Sequence, residues 1–439
     1  MRTRVITALL RLAIAALLLP FAVDWRSPAF ASVRPWALAG FTIVPLILVI
    51  IGIAALRREQ SPPLRWFNAT ALMLATLALM APLALEARFH WIRWQALTAD
   101  PNEIEKLGRH LIVGYVDLDE IHALIRRRAV AGVFISARNV QGRSVAEVKQ
   151  LIEGMQEIRR AQHLPPLWVA TDQEGGDVAR LSPPLPQPPS LAAIVARYSD
   201  PAERLAAVRQ SAVEQGRALA GLGVNLNLAP VIDLDHGLAN PDDRLTRISR
   251  RAISSDAAVV TQTASAYCDG LWESGVRCTL KHFPGLGRVS ADTHRGSASL
   301  DTERDELERT DWVPFRALMG RADAFTMLGH VTLTAVDPDR PVSFSAAIIT
   351  GLLRASWGYD GVLVTDDFSM GAVYRSRDGI AGASVDALNA GDDLILVSYD
   401  TDQYYAAMDG LLRADRDGRL EQEALRQSDR RLRRAQPPG

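Results

Sequence analysis

Cysteine is scarce in this chain of 439 residues, which has only Cys268 and Cys278. Two cysteines exclude a disulfide-built scaffold. We expect two buried thiols, ahead of one bridge formed in an oxidising compartment. No Cys/His spacing matches a zinc site, so neither a metal nor a cofactor is expected. An excess of charge is also missing, since the formal net charge is −1. Lys and Arg form no basic stripe interleaved with aromatics, which argues against a nucleic-acid partner.

Charge is absent from long stretches near the N-terminus. Apolar runs cover residues 5–23 (broken by Arg11 and Pro20), 36–56 and 66–85, and the last two contain no charge. Each has roughly the 20 residues needed to cross ~30 Å of hydrocarbon as a helix. Trp25, Trp36, Trp66, Trp91 and Trp94 lie at or near their ends, where amphipathic rings favour the membrane interface. Residues 1–90 are therefore expected to form a membrane region with a lipid bilayer as partner. Arg2 and Arg4 precede the first run, and Arg57, Arg58 and Arg65 separate the second from the third. Only Arg26 and Arg34, with Asp24, separate the first from the second. This bias places the N-terminus in the cytoplasm and the chain after about residue 90 outside, on the periplasmic side of a bacterial-type inner membrane. Ala29-Phe30-Ala31 also resembles a signal-peptidase site, so removal of the first run stays open. Both readings leave the rest of the chain outside.

From residue 101 onward, short β-branched runs alternate with amphipathic helical stretches. The strand candidates are residues 111–115, 132–135, 167–171, 224–228, 276–281, 325–328, 361–365 and 394–397. Helices are expected over 117–128, 145–162, 203–222 and 257–273. Eight strand-then-helix units predict an α/β fold, a (β/α)8 TIM-type barrel over 95–439. A doubly wound open sheet gives no reason for eight such units. In a barrel of this kind the chemistry sits at the carboxyl ends of the strands. Five of the runs end in ionisable or amide residues: Asp172 to Glu174, Asn227 to Asp233, Lys281-His282, His330 and Asp366-Asp367. Such residues would converge on one cleft. The proline-rich segment 183–189 is expected to form a stiff loop over it, in preference to a partner-binding motif.

The segment KHFPGLGRVSADTH, 281–294, resembles a signature of glycoside hydrolase family 3, KHFPGHGDTxxDSH, in its β-N-acetylglucosaminidase branch. DQEGGDVARL (172–181), GVNLNLAPVID (223–233), GVLVTDDFSM (361–370) and AGDDLIL (390–396) resemble the family's DQEGGRVxRL, GINLDFAPVLD, GVVFSDDLSM and AGCDMVL in the same order. The resemblance implies Asp366 as nucleophile and His294 with Asp292 as acid/base dyad. It implies sugar contacts from Asp172, Lys281, His282 and, by a looser alignment, Arg251. Retaining glycosidases need a carboxylate below the anomeric carbon and an acid beside the leaving oxygen. An imidazole suits proton donation followed by abstraction near neutrality. The expected function is a membrane-anchored, monomeric, retaining exo-β-N-acetylhexosaminidase. Its glycan substrate would carry terminal β-linked N-acetylglucosamine in the cell envelope.

The chain departs from the pattern at Leu286 (histidine in PGHG), Arg288 (acidic) and Asp177 (arginine in GGR). These departures motivate an alternative, a tethered glycan-binding module with reduced or lost activity. A metal-dependent hydrolase using His282, His330 and Asp366 is a further alternative. A β-glucosidase is disfavoured, because such enzymes take their acid/base from a second domain. His330 is read equally as a cleft residue or as a satisfied strand-end histidine.

Overall fold

The structure, a computed structural model, describes residues 2–238 and 245–436. It divides into two compact units, Met1–Thr98 and Ala99–Gly439.

The first unit holds helices α1 (Arg2–Val23), α2 (Arg34–Arg58) and α3 (Pro62–Thr98). All three are long and apolar enough to cross a membrane. Hydrocarbon offers no partners for a backbone, and a helix bonds its own. Ala8, Ala15 and Ala22 on α1 and Ala71, Ala75 and Ala78 on α3 are buried, small residues that let helix backbones approach closely. Arg11, the charge inside the first apolar run, donates from Nη2 to Asn68 Oδ1 at 2.9 Å.

In the second unit, eight parallel strands make a nearly closed, barrel-like sheet. They are β1 (Leu111–Gly114), β2 (Gly132–Phe134), β3 (Trp168–Thr171), β4 (Leu226–Asn227), β5 (Cys278–Phe283), β6 (Ala324–Leu328), β7 (Leu363–Asp367) and β8 (Leu394–Val397). Each of the eight expected runs contains or overlaps one of them. Consecutive strands pair with one another except β4 and β5, and β8 pairs with β1. The gap between β4 and β5 is spanned by isolated bridges, Leu226 to Arg277 and Val231 to Lys281. Strands buried on both faces read as continuous apolar runs, and β1, LIVG, and β8, LILV, are buried throughout. Ile112, Phe134, Ala170, Leu226, Phe325, Met327, Val364 and Leu396 share one core.

Helices Leu118–Arg126, Val145–Ala161, Pro201–Leu222 and Ala257–Trp272 fill four of the intervals. Asp117, Ser144, Asp200 and Asp256 cap them, their side chains accepting first-turn N–H groups. The proline-rich segment packs on the hairpin that follows β3. Gly176 N donates to Pro188 O at 3.0 Å, and Gln187 Nε2 donates to Gly176 O at 2.7 Å.

One expectation is corrected. Cys268 and Cys278 form a disulfide, with their Cα atoms 5.4 Å apart. The chain reverses between helix Ala257–Trp272 and β5, so the helix's last turns lie beside the first residue of the strand. Sequence spacing alone does not reveal that return.

Candidate active site

The site begins at the carboxyl end of β3. Asp172 follows the strand directly, and Glu174 lies two residues further on in the hairpin strand Gln173–Gly175. Lys281, in β5, reaches both carboxylates, with Nζ 2.7 Å from Asp172 Oδ1 and 2.6 Å from Glu174 Oε1. Arg251, from the short helix Ile248–Arg251 in the β4–β5 connection, grips Glu174 with two nitrogens. Its Nε and Nη2 donate to Oε2 and Oε1 at 2.9 and 2.6 Å. The Lys281 side chain is 2% exposed, and a buried charge persists only when paired. Burial by itself would raise the Glu174 pKa, but Arg251 and Lys281 hold it well below the usual carboxylate range. Burial would likewise lower the Lys281 pKa, yet Asp172 and Glu174 raise it. Asp172 is the more open carboxylate, its side chain 24% exposed against 8% for Glu174.

His282 is oriented from behind. Its Nδ1 lies 2.7 Å from Asp233 Oδ2, while Asp233 Oδ1 accepts the backbone N–H groups of His282 and Leu286 at 3.1 and 2.8 Å. The Asp233 carboxylate orients the ring through Nδ1 and leaves Nε2 turned toward Arg251. Nε2 lies 3.4 Å from Arg251 Nη2.

The two aspartates ending β7 divide their work. Asp367 is consumed structurally: Oδ1 accepts from Ser369 N and Ser398 N, and Oδ2 from Ser398 Oγ and Tyr399 N. Asp366 accepts one bond, from Asp367 N at 2.8 Å, and is only partly buried. Burial would raise its pKa, but the imidazoles of His282 and His294 are among the neighbours that hold it below the ordinary carboxylate value. It is the less engaged of the two carboxylates.

Asp292 and His294 sit on the loop after β5. His294 Nδ1 lies 3.1 Å from Asp292 Oδ1, which also accepts His294 N at 3.0 Å and Thr246 Oγ1 at 3.0 Å. The loop is docked beyond the end of β7: Gly371 N donates to His294 O at 2.9 Å and Ala372 N to Thr293 O at 3.1 Å. Burial would lower the His294 pKa, but the Asp292 hydrogen bond and the charges of Asp366 and Asp292 raise it overall. Its side chain is 35% exposed, while that of Asp292 is 3% exposed. The imidazole therefore meets solvent with Nδ1 already held.

Six of the seven expected residues join one hydrogen-bonded network, and Asp366 stands at the end of β7, where the loop carrying His294 docks. Asp172, Lys281, Arg251 and His282 form the charged floor. Asp292 and His294 join it through Thr246, whose carbonyl accepts Arg251 Nη1 at 2.8 Å. Asp366 is coupled to His294 and His282 by charge. His330 is the satisfied histidine. It is 1% exposed, with Nδ1 2.7 Å from Ser343 Oγ and Nε2 3.1 Å from Asp367 O. Sequence reasoning placed Glu174 at a strand end without giving it a role, and it missed Thr246. Glu174 had a signal, since it alternates with Asp172 two positions away. Thr246 had none.

The three departures leave this network intact. Leu286 is 3% exposed. Arg288 donates from Nε to Asp311 Oδ2 at 2.9 Å and pairs with Glu306 at 2.8 Å. Asp177 lies 3.8 Å from Arg250 with both side chains exposed.

Comparison with known proteins is concordant. A family profile described as the Glycosyl hydrolase family 3 N terminal domain matches residues 104–435. Beta-hexosaminidase LpqI of Mycobacterium tuberculosis is 33% identical over 335 residues, which is 74% of this chain and 80% of that protein. The Beta-hexosaminidase of Tolumonas auensis is 35% identical over 66% of this chain and 82% of its own length. Among solved structures, a glycoside hydrolase family 3 beta-N-acetylglucosaminidase from Paenibacillus sp. str. FPU-7 superposes with a TM-score of 0.68 at 32% identity. The match covers 76% of this chain and 62% of that longer one.

Proposed function

The chain belongs to glycoside hydrolase family 3 and is a glycosidase, and on that footing we propose that it is a membrane-anchored, retaining exo-β-N-acetylhexosaminidase. It removes terminal β-linked N-acetylglucosamine from cell-envelope glycans by double displacement. The observation that carries this reading is the placement of His294, whose Nδ1 lies 3.1 Å from Asp292 Oδ1, on a loop hydrogen-bonded to the chain that leaves Asp366.

In the first step Asp366 attacks the anomeric carbon while His294 protonates the departing glycosidic oxygen. Asp292 holds the imidazole's orientation and stabilises its positive form, as the acidic member of a triad does. Forming the glycosyl ester removes the negative charge of Asp366. That charge is one of the causes raising the His294 pKa, so the imidazole becomes more willing to stay neutral. It then takes a proton from water as the water attacks the ester, and the anomeric configuration is retained. One residue serves as acid and then as base because its partner's charge changes between the steps. Asp172, Lys281, Arg251 and His282 hold the sugar's hydroxyls, fixed in place by Glu174 and Asp233 before substrate arrives.

The three apolar helices support a membrane anchor, and the flanking arginines support an outward-facing catalytic unit. The disulfide supports an oxidising compartment for that unit. The full chain in detergent should release nitrophenol from 4-nitrophenyl N-acetyl-β-glucosaminide, with the β-anomer formed first. Asp366→Ala should abolish release, and retained turnover would end the assignment.

A further inference from the structure

Two loops meet at the dyad, and both are tied to one buried carboxylate away from it. The loop after β5 carries Asp292 and His294. The β4–β5 connection carries Thr246, whose Oγ1 donates to Asp292 Oδ1 at 3.0 Å and lies 3.2 Å from His294 Nδ1. Asp311 stands just ahead of the helix Trp312–Leu318, and its side chain is 0% exposed. Its Oδ1 lies 2.9 Å from Nε2 of His236, in the β4–β5 connection. Its Oδ2 accepts Nε of Arg288, in the loop after β5, at 2.9 Å, and Thr310 Oγ1 at 2.9 Å.

The surroundings fix the same root. Trp312 Nε1 donates to Pro284 O at 3.1 Å. A Cβ at Gly287 would collide with Leu234 O, so the two loops run in backbone contact there. Arg288 Nη2 also reaches Glu306 Oε1 at 2.8 Å. A buried carboxylate persists when it is paired, and Arg288 supplies Asp311 with a permanent positive charge. The family motif has an acidic residue at 288, which could not form this pair, so the tether is this chain's own. Only residues 289–291 separate Arg288 from Asp292. A displaced anchor is therefore close to the dyad, where misplacement by about 1 Å can cost about 10²-fold in rate.

We propose that Asp311 and Arg288 are positioning residues for the acid/base histidine. Together they anchor both loops that meet at the dyad, and so set where His294 stands against Asp366. They act through the loop and not on the sugar. The proposal rests on the hydrolase reading above.

Two aryl N-acetyl-β-glucosaminides test it. A 2,4-dinitrophenolate leaves without a proton, whereas a phenolate needs one from His294. Arg288 is 23% exposed, so Arg288→Gln is compatible with the fold. In the full chain in detergent it should lower kcat/KM on the phenyl glycoside by about tenfold, a part of the roughly 10²–10⁴-fold that a positioned proton donor contributes. On the dinitrophenyl glycoside kcat/KM should stay nearly unchanged. Arg288→Lys should restore part of the loss. The N–H groups of Gly371 and Ala372, which donate to carbonyls of the loop, should exchange with deuterium faster in Arg288→Gln. Asp311→Asn should repeat both effects, and if it fails to fold, Arg288→Gln decides alone. A merely structural role would lower both glycosides alike. Equal losses, no loss, or unchanged exchange at 371 and 372 overturns the anchor while hydrolysis itself stands. If the wild type turns over neither glycoside, the hydrolase reading fails, and the exchange arm then decides the anchor.

Discussion

The backbone N–H of Gly371 donates to the carbonyl of His294 at 2.9 Å, so the loop carrying the imidazole rests on the chain leaving the nucleophile strand. Nothing larger than hydrogen fits there. A Cβ at Gly371 would lie 2.5 Å from the carbonyl carbon and oxygen of Arg295 and 2.9 Å from His294 O, all of them backbone atoms that cannot swing aside. Gly371→Ala should therefore push the acid/base loop away from Asp366. Proton transfer by a positioned group contributes about 10²–10⁴-fold, so kcat should fall by about tenfold or more. The hydroxyl-binding floor is untouched, so KM should change far less. Steady-state kinetics on the aryl glycoside checks this split.

Adjacent aspartates at the end of β7 should respond oppositely. Asp367 accepts four hydrogen bonds that join β7 to the turn after β8. Asp367→Asn replaces one acceptor oxygen with a donor that faces donors. Unfolding stability should drop by about 2–4 kcal/mol, measured by denaturant titration. Asp366→Asn should leave stability equal or higher and remove turnover.

The pH profile should carry the mark of the dyad. Productive enzyme needs Asp366 ionised and His294 protonated. The His294 pKa is raised from 6.5, against burial, by the Asp292 hydrogen bond and by the charges of Asp366 and Asp292. The basic limb of kcat/KM should therefore lie above the ordinary imidazole value, and the acidic limb below the ordinary carboxylate value. Asp292→Asn removes the charge but keeps the size, so the basic limb should move to lower pH. An unmoved limb would show that another group controls it.

Asp392, two residues before β8, has no exposure, and among the described residues neither of its carboxylate oxygens has a hydrogen-bond partner. Burial, with Asp393 adding to it, raises its pKa well above 3.8. The folded state thus keeps a proton that the unfolded chain releases. The stabilisation is complete below the unfolded pKa and is lost as pH rises toward the folded one. Asp392→Cys, which restores the residue of the family motif, should stabilise the protein by about 1–3 kcal/mol at neutral pH. The gain should shrink as pH falls toward 4. Thermal unfolding at several pH values measures it.

Local patterns were legible where the physics is local. A strand buried on both faces must be apolar, so LIVG and LILV announced β1 and β8. The four expected helices over 117–128, 145–162, 203–222 and 257–273 correspond to helices capped by Asp117, Ser144, Asp200 and Asp256, because caps act within one turn. Six of the seven expected site residues were read from three motifs, DQEGGDVARL, KHFPGLGRVSADTH and GVLVTDDFSM, whose order survives in the chain whatever the fold. Contacts made across the barrel were not legible. Glu174 was placed at a strand end, but its binding of both Lys281 and Arg251 was not foreseen. Thr246 joins the dyad to the charged floor from 46 and 48 positions away, and no periodicity encodes such a meeting. The bridge between Cys268 and Cys278 reversed the sequence expectation for the same reason.

The sequence by itself determined which side chains carry charge, where strands and helices begin, and that three N-terminal helices are apolar enough to span a membrane. Only the tertiary structure decided which of two neighbouring aspartates is spent on scaffolding and which histidine is satisfied. The division has a physical cause. Burial and helix capping depend on neighbours along the chain, whereas hydrogen-bond satisfaction and charge pairing depend on neighbours in space.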